Sequence, residues 1–383
     1  MGEKDAQPGR IASLDQFRGY TVLGMFLVNF VGGFLVIESA FPVLKHHHTY
    51  FSYADTIMPQ FFLAVGFAYR LTFRRRLERE GMRAAYLHIL RRSLGLILLG
   101  LVIYHLTGGV KSWAELRQLD GWDFLKAFKR GPFQTLTHIG VTSLWVLPVI
   151  AAGPAVRVAF ACLSGLLHIY LSAGLSGWPF YIPWNYYEWV NADPKGIDGG
   201  PLGFLTWTIP LLAGSLAYDL VAAARPRAPV GRLLTWGAAL MLLGYALSCL
   251  NVVTPPNTAG AGLRSWLVEP PFVPPSRPVN LWSMSQRSGS ASYQTFAAGF
   301  ALAVYALFVL ACDRGRLRVG LFTTFGSNAL AAYLIHDWVG DAIKPYAPSD
   351  APLWFVLAAF GLFLAVCYLF VRHLEKNRIF LRL

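Results

Sequence analysis

A chain of 383 residues that is 55% hydrophobic and only 14% charged, with a mean hydropathy of +0.46, is too apolar for a soluble globular protein, whose charged share is usually about 25%. The formal charge of +13 does not point to nucleic acid, because the basic residues gather at one side of long apolar runs. What remains is an all-α polytopic membrane protein, read as one domain over 1–383.

In chain order, about ten spans are expected, near 16–38, 52–73, 86–106, 133–152, 156–173, 201–222, 231–251, 292–312, 320–340 and 352–372. Each has roughly the 20 residues that a ~30 Å hydrocarbon layer requires. The first run is long enough to span and lacks a small-residue cleavage pattern, so no cleavable signal peptide is expected. With both termini cytoplasmic, the inner segments, among them "RRRLEREGMR" (74–83), "DRGRLR" (313–318) and the basic tail, hold 22 of the 33 Lys and Arg. That bias sets the orientation. Cys162, Cys249, Cys312 and Cys367 stand singly in apolar runs and read as packing residues. The outer loop 252–291 has seven prolines between Pro255 and Pro278, which predicts extended chain.

Polar groups inside hydrocarbon are costly, so their positions carry the information. In "SLDQFRGYTVLGMFLVNF", Ser13 and Gln16 match a capping box. Asp15, Arg18 and Asn29 share a face, since eleven residues are almost three turns, and form a polar stripe running inward. "KHHHTYFSYAD" follows, with His46, His47 and His48 before Asp55 on the outer side. Ser52 and Asp55 also match a capping box, so Asp55 is either a helix cap or a carboxylate that orients a histidine. Inner Arg74, Arg75, Arg76, Arg91 and Arg92 offer charge to an anion or serve topology alone. The loop "GWPFYIPWNYYEWVN" (177–191), with Trp178 and Trp184, suits sugar rings and equally a membrane interface. "SGSAS" (288–292) reads as a close-packing stretch. Near the end, Asn328 falls at mid-membrane and His336 near the outer surface, opening an H-x-x-x-x-D pattern, "HDWVGD". Three adjacent histidines chelate one ion poorly, and no metal is expected.

These segments, taken together, resemble the heparan-α-glucosaminide N-acetyltransferase family. The carriers are the S-L-D-x-F-R-G opening with Val28-Asn29, the Lys-His loop followed by Asp55, "LTHIGVTSLWV" (136–146), "GPLGFLTWTIPLLAGSLA", "NLWSMSQ" (280–286) and "GSNALAAYLIHDW" (326–338). The family's loop holds one histidine about ten residues before the aspartate; His46, nine before Asp55, needs the smallest change, and His47 stays a candidate.

The resemblance implies acetyl transfer from cytosolic acetyl-CoA, a co-substrate, to a sugar amine or hydroxyl on the outer side. His46 or His47 would be the base, Asp55 its orienting partner, and Asn328 and His336 candidate oxyanion donors. Asp15, Arg18, Asn29 and the inner arginines would serve the donor, and His48, Trp178 and Trp184 the acceptor. The expected setting is the cell inner membrane, multi-pass, with the bilayer, acetyl-CoA and an extracytoplasmic glycan as partners, no nucleic acid, and a homodimer left open. The alternative is a proton-coupled transporter or flippase of a small polar or glycolipid substrate, for which intramembrane Asp, Arg and Asn would also serve.

Overall fold

Helix α1 (Ala12–Val31) begins without the capping box its sequence suggests. Ser13 instead gives both its backbone N–H (3.1 Å) and its hydroxyl (2.6 Å) to the Asp313 carboxylate. Gln16 reaches away to the Thr323 hydroxyl (2.7 Å) and the Val319 N–H (2.8 Å). A carboxylate from a distant segment satisfies one free N–H of the first turn, that of Ser13, in place of a local side-chain cap.

The computed structural model describes residues 11–105, 110–118, 132–173, 186–192, 197–224, 228–252 and 267–381, and every regular element among them is helical. After α1 come α2 (Leu35–Ala40), α3 (Ile57–Glu80), α4 (Met82–His105), α5 (Trp113–Arg117), α6 (Thr135–Val146) and α7 (Pro154–Ala173). Then follow α8 (Tyr186–Ala192), α9 (Phe204–Ala224), α10 (Val230–Cys249), α11 (Ala291–Phe308), α12 (Gly320–Ser327), α13 (Ala329–Ile343) and α14 (Leu353–Lys376).

Six segments among the described residues are long and apolar enough to cross a bilayer: Met82–Ile103, Pro154–Ala173, Gly200–Ala224, Val230–Val252, Ala291–Arg314 and Leu353–Lys376. The chain is therefore a multi-pass helical membrane protein. The other four expected spans fall on helices that are more polar, shorter or broken. Helix α1 carries Asp15 and Arg18 and stops at Gly32–Gly33, so the expected 16–38 divides into α1 and α2. The basic run after Arg74, expected as a connection, continues α3 to Glu80, because Arg, Leu and Glu are good helix formers. Gly81, at φ +84°, ends it. Helix α6 has 12 residues, and the expected 320–340 span breaks at Asn328 into α12 and α13.

Helices α9 and α11 lie mostly buried at the centre, while α4, α7, α10 and α14 present exposed leucines such as Leu98, Leu163, Leu242 and Leu369 to the surroundings. Helices α3 and α9 meet through a reciprocal glycine contact. A Cβ at Gly66 would collide with the Leu211 carbonyl, and one at Gly214 with the Leu63 carbonyl. Backbone approach of this kind is what small residues permit in membrane bundles. Gly66→Val is expected to wedge the pair apart; loss of the monodisperse peak on size exclusion in detergent would register it, and an unchanged peak would show the contact to be dispensable. The "SGSAS" stretch packs closely at Gly289, where a Cβ would meet the Gly199 backbone, and it also caps: Ser290 accepts from the Tyr293 N–H at the start of α11 (3.4 Å), and Ser292 donates to the Trp282 carbonyl (2.7 Å).

At the basic end of the bundle a charged cluster joins α3, α7 and α9. Asp219 accepts from Arg70 Nε (3.1 Å) and pairs with Arg157, which is fully buried and also donates to the Ser215 hydroxyl (2.9 Å). Arg70 in turn donates to the Ile150 carbonyl.

Candidate active site

The loop between α2 and α3 reaches the opposite end of the bundle. It turns at Pro42–Leu44, passes the three histidines, and enters α3 through a single helical turn, Ala54–Thr56. Asp55 is buried and its two oxygens do different things. Oδ2 accepts from the Ser52 N–H (3.0 Å) and hydroxyl (2.7 Å), while the Asp55 N–H returns to Ser52 Oγ (3.4 Å). That is the reciprocal capping pattern. Oδ1 faces His46 Nδ1 at 2.9 Å. The cap and the histidine partner are therefore one residue, with one oxygen assigned to each.

Because a carboxylate can only accept here, Nδ1 of His46 carries the proton and Nε2 presents a lone pair in the neutral ring. Burial of the ring disfavours its charged form, but the hydrogen bond that His46 donates to Asp55 and the charges of Asp55 and Asp198 outweigh it, so the His46 pKa is raised above 6.5. An oriented, strengthened imidazole whose edge remains partly exposed can take a proton from a bound amine or hydroxyl.

The other two histidines diverge. His47 donates from Nε2 to the Pro42 carbonyl (2.9 Å) and stacks on Tyr50 (ring centroids 4.2 Å apart). His48 is exposed and lines a groove with Tyr187, Glu188, Asn191 and Arg287. Of the aromatic loop, Trp178 and Trp184 lie outside the described residues; Tyr186 and Tyr187 begin α8 beside this groove. Among the described residues no group of three or more His, Cys, Asp and Glu is placed to hold a metal ion.

Sequence reading missed three neighbours of this centre. Tyr293 donates its hydroxyl to the Asp55 carbonyl (2.8 Å). Asp198, buried, is electrostatically coupled to His46 and Asp55. Gln286 donates Nε2 to Asp198 Oδ1 (2.8 Å). The only local signal for Asp198 was the "DGG" triplet, which marks a turn and nothing more. One turn deeper lie Gln60 and Gln294, both fully buried. Gln60 Nε2 donates to the Thr56 hydroxyl (2.9 Å), but its Oε1 and both ends of the Gln294 amide make no hydrogen bond.

His336 Nε2 stands 3.4 Å from the Asn29 side-chain nitrogen; its Nδ1 donates to the Tyr333 carbonyl, and its ring stacks on Phe26. In "HDWVGD" its carboxylate neighbour is Asp337 (3.5 Å) and Asp341 is exposed. Asn328 ties down the tail: Nδ2 donates to the Ile379 carbonyl (2.9 Å) and Oδ1 accepts from the Leu381 N–H (3.1 Å). Asp15 packs where α1 crosses α12 at Gly326. Arg18 and Arg92 lie within electrostatic range of each other, about 9 and 15 Å into their helices at 1.5 Å per residue. Arg74 is half exposed, 4.0 Å from Asp219, and Arg75 and Arg91 are exposed.

A family model described as an acyltransferase domain matches residues 11–372, nearly the whole chain. No curated protein matches it. A helical bundle of this hydropathy, with an oriented imidazole at one end, agrees with that assignment. The chain belongs to this acyltransferase family (acyltransferase family 3) and is a multi-pass membrane acyltransferase.

Proposed function

We propose that the protein transfers an acetyl group from cytosolic acetyl-CoA to a sugar amine or hydroxyl on the outer side of the cell inner membrane, as its resemblance to the heparan-α-glucosaminide N-acetyltransferases implies. The chain then crosses about ten times with both termini inside, and α1, α3, α6 and the α12–α13 pair complete the crossings around the buried centre. The observation that carries this reading is the His46–Asp55 pair at the end of the bundle opposite the basic cluster.

CoA carries several phosphate charges and does not enter hydrocarbon, whereas its thin pantetheine arm can. Arg18 and Arg92 would hold phosphate at the inner mouth. The buried amides of Gln60 and Gln294 offer unmatched polar atoms along the interior, suited to an arm that carries amide groups. At the outer end His46 Nε2 takes the proton of the attacking amine or hydroxyl, whose lone pair forms the new bond to the thioester carbon. The C–S bond then breaks, and the departing thiolate takes a proton from the imidazolium. Asp55 holds the ring and the favoured tautomer. The groove at His48, Tyr187 and Arg287 is the acceptor's seat.

Purified protein in liposomes, given labelled acetyl-CoA and a panel of amino sugars and neutral sugars, is expected to yield acetylated sugar. Absence of transfer to every acceptor, together with no thermal stabilisation by acetyl-CoA, would overturn the reading and favour a transporter. The pH profile gives a second check. The base must be unprotonated and its pKa is raised, so kcat/KM should climb with pH through a midpoint above 6.5. Asp55→Asn removes the hydrogen bond and charge that raise it, so that midpoint should move to lower pH while the maximum falls. A profile unmoved by Asp55→Asn would separate the limb from His46.

A further inference from the structure

Phe272 occupies backbone that its side chain disfavours. Its φ is +72°, which glycine adopts freely and which is an outlier for a bulky aromatic residue. The Val273 N–H donates to the Pro270 carbonyl (3.2 Å), closing a turn with Pro271 and Phe272 at its two central positions. Proline first and a positive φ second is the type II pattern, whose second position calls for glycine or asparagine. Pro270, Pro271, Pro274 and Pro275 leave this stretch few other conformations. The stretch is also tied to the bundle, because the Tyr245 hydroxyl of α10 donates to the Val268 carbonyl (2.7 Å).

What the turn delivers is an N–H group. Phe272 donates it to the Phe51 carbonyl (3.0 Å). That carbonyl and the Ser52 N–H belong to one planar peptide group, and the Ser52 N–H donates to Asp55 Oδ2 (3.0 Å). The other oxygen, Oδ1, accepts from His46 Nδ1 (2.9 Å). A chain of hydrogen bonds therefore joins the Phe272 N–H, the 51–52 peptide, the Asp55 carboxylate and the His46 ring. Groups linked in this way polarise one another, and a planar peptide held at its oxygen does not swing its N–H away from the carboxylate. The fully buried Phe51 ring anchors the same unit, edge-on to Phe272 (5.3 Å) and Phe296 (4.9 Å) and tilted against Tyr293 (5.8 Å). Phe272 itself is 42% exposed, so burial offsets little of its strain. Such strain persists where surrounding structure over-determines it, and it gathers at functional sites.

We propose that Phe272 is a positioning residue of the His46–Asp55 pair: its backbone N–H, aimed by the left-handed turn, orients the 51–52 peptide that holds Asp55, and through Asp55 it orients the His46 ring. This rests on the transfer reading above and ties the proline-rich segment to the chemistry. Phe272 touches neither substrate nor the reacting atoms. It acts through the peptide it grips, and the conformation of its backbone matters more than its ring.

Two substitutions set the backbone against the ring. Phe272→Gly keeps the N–H and the positive φ and discards the ring. Phe272→Val keeps an apolar side chain, but a β-branched residue strongly disfavours positive φ, so the turn relaxes and the N–H leaves Phe51. A packing role makes glycine the more damaging change; the peptide grip makes it valine. In the transfer assay Phe272→Gly should stay within a small factor of wild type, and Phe272→Val should lose about tenfold in kcat, the scale of one hydrogen bond, with KM for acetyl-CoA unchanged. A second readout needs no turnover. In detergent-solubilised protein isotopically labelled at histidine, the neutral His46 ring, assigned by its loss in His46→Gln, should carry its proton on Nδ1 in wild type and Phe272→Gly and show a mixture of tautomers in Phe272→Val. A kcat for Phe272→Val no lower than that of Phe272→Gly, or an unchanged tautomer in Phe272→Val, would overturn the proposal. If wild type transfers acetyl to no acceptor, the transfer reading fails, and the tautomers alone decide whether Phe272 orients His46.

Discussion

His46→Ala protein is expected to bind acetyl-CoA and to transfer almost nothing. A positioned general base contributes about 10²–10⁴-fold, and the fall in kcat should lie in that range. The fold should survive, because Asp55 keeps the Ser52 N–H and hydroxyl as partners when the imidazole is gone. His47→Ala is the matched control. Its ring donates to the Pro42 carbonyl and stacks on Tyr50, so its removal should leave kcat within a small factor of wild type. Thermal stabilisation by acetyl-CoA reports binding in each variant, and release of free CoA thiol reports turnover. Full turnover in His46→Ala would remove this histidine from the chemistry. Intact-protein mass after mixing wild type with acetyl-CoA alone distinguishes the two routes: an added acetyl group means a covalent enzyme intermediate, and an unchanged mass means direct transfer in a ternary complex.

The second large effect is on stability. Asp219→Ala should destabilise the bundle by about 3–5 kcal/mol, the usual consequence of leaving a buried charge uncompensated. Arg157 is fully buried, and Asp219 is its carboxylate partner as well as that of Arg70. Without it, Ser215 and the Ile150 carbonyl remain as neutral acceptors for two guanidinium groups. A thermal melt in detergent should show the loss, with α7 separating from α3 and α9. Arg157→Met combined with Asp219→Ala should recover part of it, since an apolar side chain there needs no partner. If the double variant melts no higher than Asp219→Ala, the pair is not what links these helices.

The sequence was most legible where its rules are local. Apolar runs of spanning length placed the long helices, and α4, α7, α9, α10, α11 and α14 lie on the expected segments. Two helix ends were missed: the expected 16–38 span divides at Gly32–Gly33, and α3 runs past 73 to Gly81, whose φ of +84° glycine adopts readily. Errors came where a distant segment overrode a local motif. Ser13 and Gln16 read as a capping pair, but Asp313 reaches Ser13 and residues 319–323 engage Gln16, some 300 residues away in sequence. In 288–292 the small residues do allow a close approach, Gly289 against Gly199, but the capping of α11 by Ser290 was not foreseen.

By itself, then, the chain's composition determined a membrane bundle, and one spacing in it, nine residues from His46 to Asp55, brought a histidine and a carboxylate together within a single loop. A contact that short in sequence needs only a turn and a cap to form it. Tertiary structure alone decided which of three neighbouring histidines faces the acid, and that Asp198, Gln286 and Tyr293, over 140 residues further on, complete its surroundings. It also decided that Asp219 answers two arginines from separate helices. The reason is physical: hydropathy and periodicity report what a segment buries, whereas the pairing of buried polar groups depends on which helices pack side by side, and no local pattern encodes that.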